Sequence, residues 1–170
     1  MENIKTKIYK NKSIYNGEMT DNGIRHGSGK VFYPNGTKYE GNWEYGVKQG
    51  NGKITFYSKD VYEGQFDNDN INGYGKITYN NNDIYLGDWE NNKKHGFGCY
   101  RSYEGDFYQG EWRNDKRHGV GEIFYKNYKI TFRGKWKDDK KIGDGFYTFS
   151  DSETIYKSFH SPLFEDNIFN

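Results

Sequence analysis

The sequence contains no alanine, and its only leucines are Leu86 and Leu163. These two residue types are among the strongest helix formers, so their scarcity argues against a mainly helical protein. The single cysteine, Cys99, has no partner for an internal disulfide, which indicates an intracellular protein. The chain also lacks an apolar run long enough to span a membrane, and its first ten residues lack the apolar run of a signal peptide.

Aromatic residues are abundant and make up 19% of the chain, including 17 tyrosines and four tryptophans. Charged residues reach 29%, but disordered chains are poor in aromatic residues, so we expect a folded protein with a thin aromatic core. Tyrosine, phenylalanine, isoleucine and threonine favour strands. The formal net charge is +1, which gives no strong attraction to nucleic acid, and we expect no such partner.

A motif recurs every 23 or 24 residues and divides most of the chain into six units. Each unit has an aromatic residue two places before a glycine, a large apolar residue two places after it, and a later Gly-x-Gly. The first of these three features occurs at Tyr15-x-Gly17, Tyr39-x-Gly41, Tyr62-x-Gly64, Tyr85-x-Gly87, Tyr108-x-Gly110 and Phe132-x-Gly134. Six units at one spacing predict a repeat protein.

Half units flank the six full ones. Residues 8–11 resemble residues 32–35, and Tyr156 and Ser158 stand where the next Tyr-x-Gly is expected. Terminal repeats usually depart from the pattern of the inner ones. We therefore predict an N-terminal half-repeat cap at 1–14, six repeats at 15–154, and a capping strand and tail at 155–170.

These motifs resemble the MORN repeat family. The resemblance rests on Tyr39-x-Gly41-x-Trp43, on Gly50-x-Gly52 and on the turns at 92–96 and 114–119, and it covers roughly residues 6–160. The chain departs from the pattern at four places: Met19 and Phe66 replace tryptophan, Phe132 replaces tyrosine, and residues 70–72 replace a basic turn.

Each repeat has the pattern of a β-hairpin, with side chains alternating over 38–44 and again over 50–57. We predict that Tyr39 pairs with Ile54, Gly41 with Gly52, and Trp43 with Gly50, so that the glycines leave room for the tryptophan ring. On the opposite face this register pairs Glu40 with Lys53, Glu63 with Lys76, and Lys135 with Asp144.

The predicted fold is therefore all-β: a single-layer, elongated antiparallel sheet of six stacked hairpins, twisted into a curled rod between half-repeat caps. We expect the core to consist of the large residues of the repeat: Tyr39, Trp43, Tyr62, Phe66, Tyr85, Trp89, Tyr108, Trp112, Phe132 and Trp136.

No catalytic or metal-binding constellation is recognisable. His26, His95 and His118 occupy equivalent places roughly 10 Å apart from repeat to repeat, too far to share a zinc ion, so we expect a repeated turn hydrogen bond. The Gly-x-Gly motif lies inside a hairpin and not at a helix start, which argues against nucleotide binding. Cys99 has no histidine partner in this register. We expect no cofactor and no enzyme activity, because the chain ends at Asn170 without room for a catalytic domain.

Two surface features are candidate binding sites. The first is a set of basic residues that we place in the turns: Lys93, Lys94, Lys116, Arg117, Lys140 and Lys141. They form either a solubilising edge, offset by acidic neighbours, or a contact for anionic lipid.

The second candidate is an apolar patch on the face that is otherwise polar. Its predicted members are Tyr74, Leu86, Phe97, Cys99 and Val120. Such a patch is either a partner site or a surface covered by the curled sheet or by the tail segment 163–169.

The family resemblance implies a non-enzymatic scaffold or adaptor at a cytoskeletal, ciliary or membrane-associated structure within the cell. Similar proteins hold a partner segment along the sheet, such as an amphipathic helix or a cytoskeletal component, and some form homodimers through terminal repeats. The alternative that the resemblance implies is a peripheral phospholipid-binding module, because similar repeats precede lipid kinase domains.

Overall fold

The computed structural model describes residues 4–149 and 154–158, and all regular structure in that part of the chain is β-strand. Two compact units divide it at Lys93 and Lys94. We call them unit 1, up to residue 93, and unit 2, from residue 94. The all-β class and the antiparallel hairpin architecture are confirmed, whereas the predicted rod shape and the domain limits stay predictions.

Unit 1 contains eight strands that pair antiparallel with their neighbours in chain order. They are β1 (Ile4–Ile8), β2 (Ile14–Met19), β3 (Arg25–Phe32), β4 (Lys38–Glu44), β5 (Val47–Thr55), β6 (Val61–Asp67), β7 (Asn70–Thr78) and β8 (Ile84–Glu90).

Unit 2 repeats the arrangement, and its strands also pair antiparallel in chain order. They are β9 (Lys93–Arg101), which begins at the boundary residue, β10 (Phe107–Arg113), β11 (Lys116–Tyr125), β12 (Ile130–Lys137), β13 (Lys140–Phe149) and β14 (Thr154–Ser158).

Two-residue turns close five of the hairpins. In each of them both central residues have positive φ, as in Asn68 (47°) and Asp69 (67°), which defines a type I′ turn. The other four lie at 45–46, 91–92, 114–115 and 138–139. Asparagine and aspartate tolerate this left-handed conformation better than most residues, which explains why these turns are rich in them.

The central register of the hairpins agrees with the sequence. Tyr39 pairs with Ile54, Gly41 with Gly52, and Glu40 with Lys53. Glu63 likewise pairs with Lys76. This register puts the repeated tyrosines and the second glycine of each Gly-x-Gly on one sheet face, which we call the aromatic face.

The register predicted nearer the turns is wrong. Trp43 pairs with Lys48 and not with Gly50, and Lys135 pairs with Ile142 and not with Asp144. The cause is a bulge of two extra residues in the second strand of the hairpin, where the first glycine of Gly-x-Gly has positive φ (77° at Gly50). That glycine is needed for its backbone conformation and not for space.

The glycines of the central register do leave room for a ring, but it belongs to tyrosine and not to tryptophan. A Cβ atom built at Gly52 would lie 2.5 Å from the Tyr39 hydroxyl oxygen and 2.6 Å from a ring carbon. Phe132 covers Gly134 and Gly145 in the same way. All ten predicted core residues are buried, and so are Tyr15 and Tyr147.

Each tryptophan joins its own repeat to the preceding one. The Trp43 ring packs edge-on against Tyr15 and Tyr39, at centroid distances of 5.6 and 5.1 Å. Its Nε1–H donates to the Gly29 carbonyl oxygen at 3.2 Å. Trp89, Trp112 and Trp136 make the same bond to the preceding repeat. Phe66 keeps the ring contacts but has no N–H to donate.

The last described strand is shifted by one residue from the predicted position. Ile155 pairs with Tyr147, and Lys157 pairs with Gly145. Tyr156 and Ser158 therefore do not occupy the Tyr-x-Gly places. The tail segment 163–169 lies outside the described residues.

Candidate protein-binding surfaces

Cations cover the indole rings along the turn end of the aromatic face. In unit 2 the Lys94 Nζ lies 4.5 Å from the centre of the Trp112 ring, and the Arg117 Cζ lies 4.3 Å from that of Trp136. Lys141 lies 4.9 Å from the Phe132 ring. Because the preceding repeat supplies the cation over Trp43, Trp112 and Trp136, these contacts tie neighbouring hairpins together.

Turn carboxylates hold these cations in place. Arg117 Nε donates to Asp139 Oδ1 at 3.1 Å, and the Arg117 backbone N–H donates to the same oxygen at 3.0 Å. In unit 1, Lys48 pairs with Asp69 at 3.2 Å. Burial lowers the pKa of Lys94, although the nearby carboxylate of Asp115 opposes that shift. Bringing this ammonium onto the aromatic face therefore carries a desolvation penalty.

A groove of about 940 Å³ lies on the aromatic face of unit 2. We call it the unit 2 groove. Its floor is aromatic and includes Tyr100, Tyr108 and Tyr125, and its lining residues come from β9 through β13. The rim beside the turns carries Lys94, Asp115, Arg117, Asp139, Lys140 and Lys141, and Ser102, Asp106 and Phe107 line the rim at the loop end. A groove of this size, with an apolar floor and charged rims, is suited to binding a ligand or a peptide segment.

The six basic residues predicted in the turns lie instead at the starts of strands, directly after the two-residue turns. They separate into two sets by side-chain environment. Lys94, Arg117 and Lys141 are half-buried against aromatic rings, whereas Lys93, Lys116 and Lys140 are exposed. The second set projects into solvent, where it can meet a flat anionic surface such as a membrane.

The predicted apolar residues lie in both units, and each part stands by itself. In unit 1 the side chains of Tyr74 and Leu86 are 53% and 40% exposed. In unit 2, Phe97 and Val120 are 56% and 50% exposed, and Cys99 is half-buried. That the five residues form one patch stays a prediction.

The bulge determines how two of these residues are presented. Tyr74, Phe97 and Val120 lie between the two glycines of Gly-x-Gly. The Tyr74 backbone N–H donates to Gln65 Oε1 at 2.6 Å, and that of Val120 donates to Glu111 Oε1 at 2.8 Å. Because the bonded side chain fills the bulge, the bulge residue holds its position through its backbone and its own side chain stays in solvent.

No described residue arrangement indicates catalysis or metal binding. No group of three histidine, cysteine or acidic side chains within the described residues could hold a metal ion. Burial raises the pKa of the Cys99 thiol, which weakens it as a nucleophile at neutral pH. His26 Nδ1 accepts a long hydrogen bond, 3.5 Å, from the Tyr45 backbone N–H.

Sequence reasoning missed the cations over the indoles. A signal was present, because the second residue after each of the last three type I′ turns is basic, at Lys94, Arg117 and Lys141, on the same strand face as the paired glycines. Two-residue turns would have placed these side chains over the tryptophans, but longer basic turns were assumed. The described residues also include no helix that is long and apolar enough to cross a membrane.

Comparison with known proteins identifies the repeat. The family model described as MORN repeat matches six consecutive segments: 15–38, 39–61, 62–84, 85–107, 108–129 and 132–154. No curated protein sequence matches the chain.

Two solved structures of TCP domains match the chain. The TCP10 domain of Danio rerio CPAP, in complex with a peptide of Danio rerio STIL, matches with a TM-score of 0.58 at 11% identity, over 94% of this chain and 71% of that one. The Drosophila melanogaster SAS-4 TCP domain, in complex with a proline-rich motif of Ana2, matches with a TM-score of 0.47 at 13% identity, over 91% of this chain and 89% of that one.

Proposed function

The chain belongs to the MORN repeat family, and on that premise we propose that it is a non-enzymatic scaffold that binds a segment of a partner protein along its sheet. The observation that carries the proposal is the exposure of large apolar side chains at the bulge positions Tyr74, Phe97 and Val120. In the first two repeats the same position holds Ser28 and Asn51. Exposed apolar side chains that replace polar ones favour a contact with another protein.

The backbone design supports this function. In the described residues three kinds of contact join one hairpin to the next: those of the turn carboxylates, of the tryptophan N–H groups and of the aromatic rings. The repeats themselves therefore hold the sheet together. Side chains on the face away from the tyrosines are then free to vary. Repeat arrays use such regular, extended surfaces, and not deep pockets, to hold their partners.

Peptide binding by a similar sheet is also consistent with the proposal. The zebrafish CPAP domain of like fold carries a bound peptide of STIL. At 11% identity this likeness concerns the fold alone, and the partner of the present chain has to be identified from its own surface. An intracellular site at a cytoskeletal or ciliary structure and a homodimer through terminal repeats stay predictions.

Capture of partners from native lysate tests the proposal. We would compare the tagged chain with the double variant Phe97→Asp, Val120→Asp, whose native side chains are both exposed. We expect the wild type to retain a stoichiometric protein at high salt and the variant to lose it. Circular dichroism would establish that the variant is folded.

Two other outcomes would contradict the proposal. If wild type and variant retained the same proteins, the bulge residues would not be the binding site. Retention of lipid alone, lost at high salt, would favour the lipid-binding module and the exposed cations Lys93, Lys116 and Lys140.

A further inference from the structure

The unit 2 groove repeats one chemical pattern without interruption. Each repeat contributes a cation beside the turn (Lys94, Arg117 or Lys141), with an aromatic ring under it. In unit 1 the same place holds Arg25, Lys48 and then Ile71, so the row of cations is broken there. A ligand that binds a cation and a ring in every repeat would therefore find all of these contacts in unit 2.

The spacing of this pattern follows from sheet geometry. Neighbouring strands are about 4.8 Å apart, so cations two strands apart recur at roughly 9.6 Å. The groove extends from β9 to β13, which is four strand spacings, or roughly 19 Å. A partner lying along it must present matching groups at about 0, 9.6 and 19 Å.

Of the regular peptide conformations, polyproline II matches this spacing best. It rises about 3.1 Å per residue with three residues per turn, so side chains at i, i+3 and i+6 lie on one side at roughly 0, 9.3 and 18.6 Å. In a β-strand the side chain at i+3 lies at a similar distance, but it points to the opposite face from the side chain at i. An α-helix returns to the same side after seven residues, at roughly 10.5 Å, and is out of register by about 2 Å at the third cation.

The charge of the groove indicates what the repeated group is. On the rim beside the turns, four cations (Lys94, Arg117, Lys140 and Lys141) stand against two carboxylates, Asp115 and Asp139. Asp106 lies on the other rim. The turn-side rim is thus net positive and complements carboxylates, while the tyrosine floor complements proline rings, which pack well on aromatic surfaces.

We propose that the unit 2 groove binds a polyproline II segment that carries an acidic residue at every third position. The inference rests on the scaffold function proposed above and adds a contact for the partner segment on the aromatic face, opposite the bulge residues. Three carboxylates face Lys94, Arg117 and Lys141, and the residues between them lie over Tyr100 and Tyr125. Such a segment is already extended when free, so little conformational entropy is lost on binding.

A peptide of four Pro-Pro-Glu repeats, labelled with fluorescein, provides the test by fluorescence anisotropy with the full chain. The control peptide has the same composition, but its glutamates are spaced alternately two and four residues apart. We expect saturable binding, and a dissociation constant at least about fivefold weaker for the control peptide. Equal affinity of both peptides, or no saturation up to about 1 mM, would overturn the proposal.

Matched variants locate the site. Lys140→Glu changes an exposed residue that lines the groove, and Lys116→Glu changes its equivalent in the preceding hairpin, which does not line it. Both variants lower the net charge equally. We expect the first to weaken peptide binding at least about fivefold and the second to change it less than about twofold.

Equal effects of the two variants would mean non-specific attraction and would overturn the site. The capture experiment separates this inference from the scaffold function. If Lys140→Glu retains the captured partner while Phe97→Asp, Val120→Asp loses it, the scaffold stands and the groove is not its site.

Discussion

Unit 1 and unit 2 differ most on the sheet face opposite the tyrosines, in the row beside the paired glycines. In unit 1 this row runs Lys30, Glu40, Lys53, Glu63, Lys76 across five strands, and ion pairs join Lys30 to Glu40 and Lys53 to Glu63 at 2.8 and 2.5 Å. In unit 2 the same row reads Cys99, Gln109, Glu122, Arg133, Phe146.

On the aromatic faces the difference is reversed, because there unit 2 carries the longer row of charges. Unit 2 carries cations at every turn-side position, whereas unit 1 ends that row with Ile71. Both units have paired glycines under an aromatic ring, which is tyrosine except at Phe132 in unit 2. The comparison separates positions that the hairpin requires from positions that it leaves open, and the second kind is where a partner can be selected.

The largest expected effect lies in what the units share. Gly52→Ala in unit 1 and Gly121→Ala in unit 2 each drive a methyl group into a buried tyrosine ring. We expect each to lower the free energy of unfolding by about 3 kcal/mol. Urea unfolding followed by circular dichroism measures this. Ser28→Ala, at an exposed bulge position, is the control and should change stability by less than about 0.5 kcal/mol. If Gly121→Ala were tolerated and Gly52→Ala were not, the two units would not share the same close contact between glycine and tyrosine ring.

Alkaline pH should distinguish the units. Burial raises the pKa of Tyr15 and Tyr62 to about 12, and it also raises those of Tyr39 and, in unit 2, Tyr108. A phenol whose pKa is higher when folded than when unfolded, where it is about 10, stabilises the fold fully below pH 10 and loses that contribution as pH rises toward the folded value.

Unit 2 has Phe132, which does not ionise, at the next equivalent position. We therefore expect unit 1 to unfold first between about pH 10 and 12. Methyl NMR signals of Ile54 and Ile77 should lose dispersion before that of Ile123. Tyr62→Phe should delay the loss in unit 1 and remove the hydroxyl bond to the Gln65 carbonyl, at a cost of about 1 kcal/mol at neutral pH. Simultaneous loss of all three signals would contradict the assignment.

The smallest expected effect concerns the charged row of unit 1. Glu63→Gln removes the ion pair with Lys53, and we expect a loss of about 0.5 kcal/mol at low salt, because both side chains are more than half exposed. The hydrogen bond from Lys53 lowers the pKa of Glu63, so its contribution is present above the carboxyl's ordinary pKa and fades as pH falls.

The difference in stability between wild type and this variant should therefore shrink as the pH falls below the carboxyl's ordinary pKa. Thermal unfolding at pH 7 and pH 3, with and without salt, measures the difference. Glu122→Gln in the corresponding row of unit 2 is the control. A difference that does not shrink between pH 7 and pH 3 would assign the effect to packing and not to charge.

The sequence was sufficient for the repeat, the hairpins and the central register, because the glycine pairs and the alternating pattern agree there. It was insufficient near the turns. A two-residue turn at 45–46 pairs Trp43 with Lys48, and an unbroken ladder would then pair Gly41 with Gly50. The observed pair is Gly41 with Gly52. The two-residue difference is the bulge, and it becomes visible only when turn type and glycine register are considered together.

The candidate surfaces were predicted unevenly for the same reason. Tyr74, Phe97 and Val120 were recognised because they interrupt a polar position. The cations over the indoles were placed in turns, because their role depends on which face the strand presents after the bulge. One displaced residue reverses that face.

The bulge has a consequence for protein engineering. At Ser28, Tyr74 and Val120 it bonds the backbone N–H of its central residue, and the chain places asparagine and phenylalanine at the same position at Asn51 and Phe97. Within a unit, successive positions stand roughly 10 Å apart. They form a row of randomisable sites on a rigid frame, so a combinatorial library at these positions would vary recognition while leaving the fold unchanged.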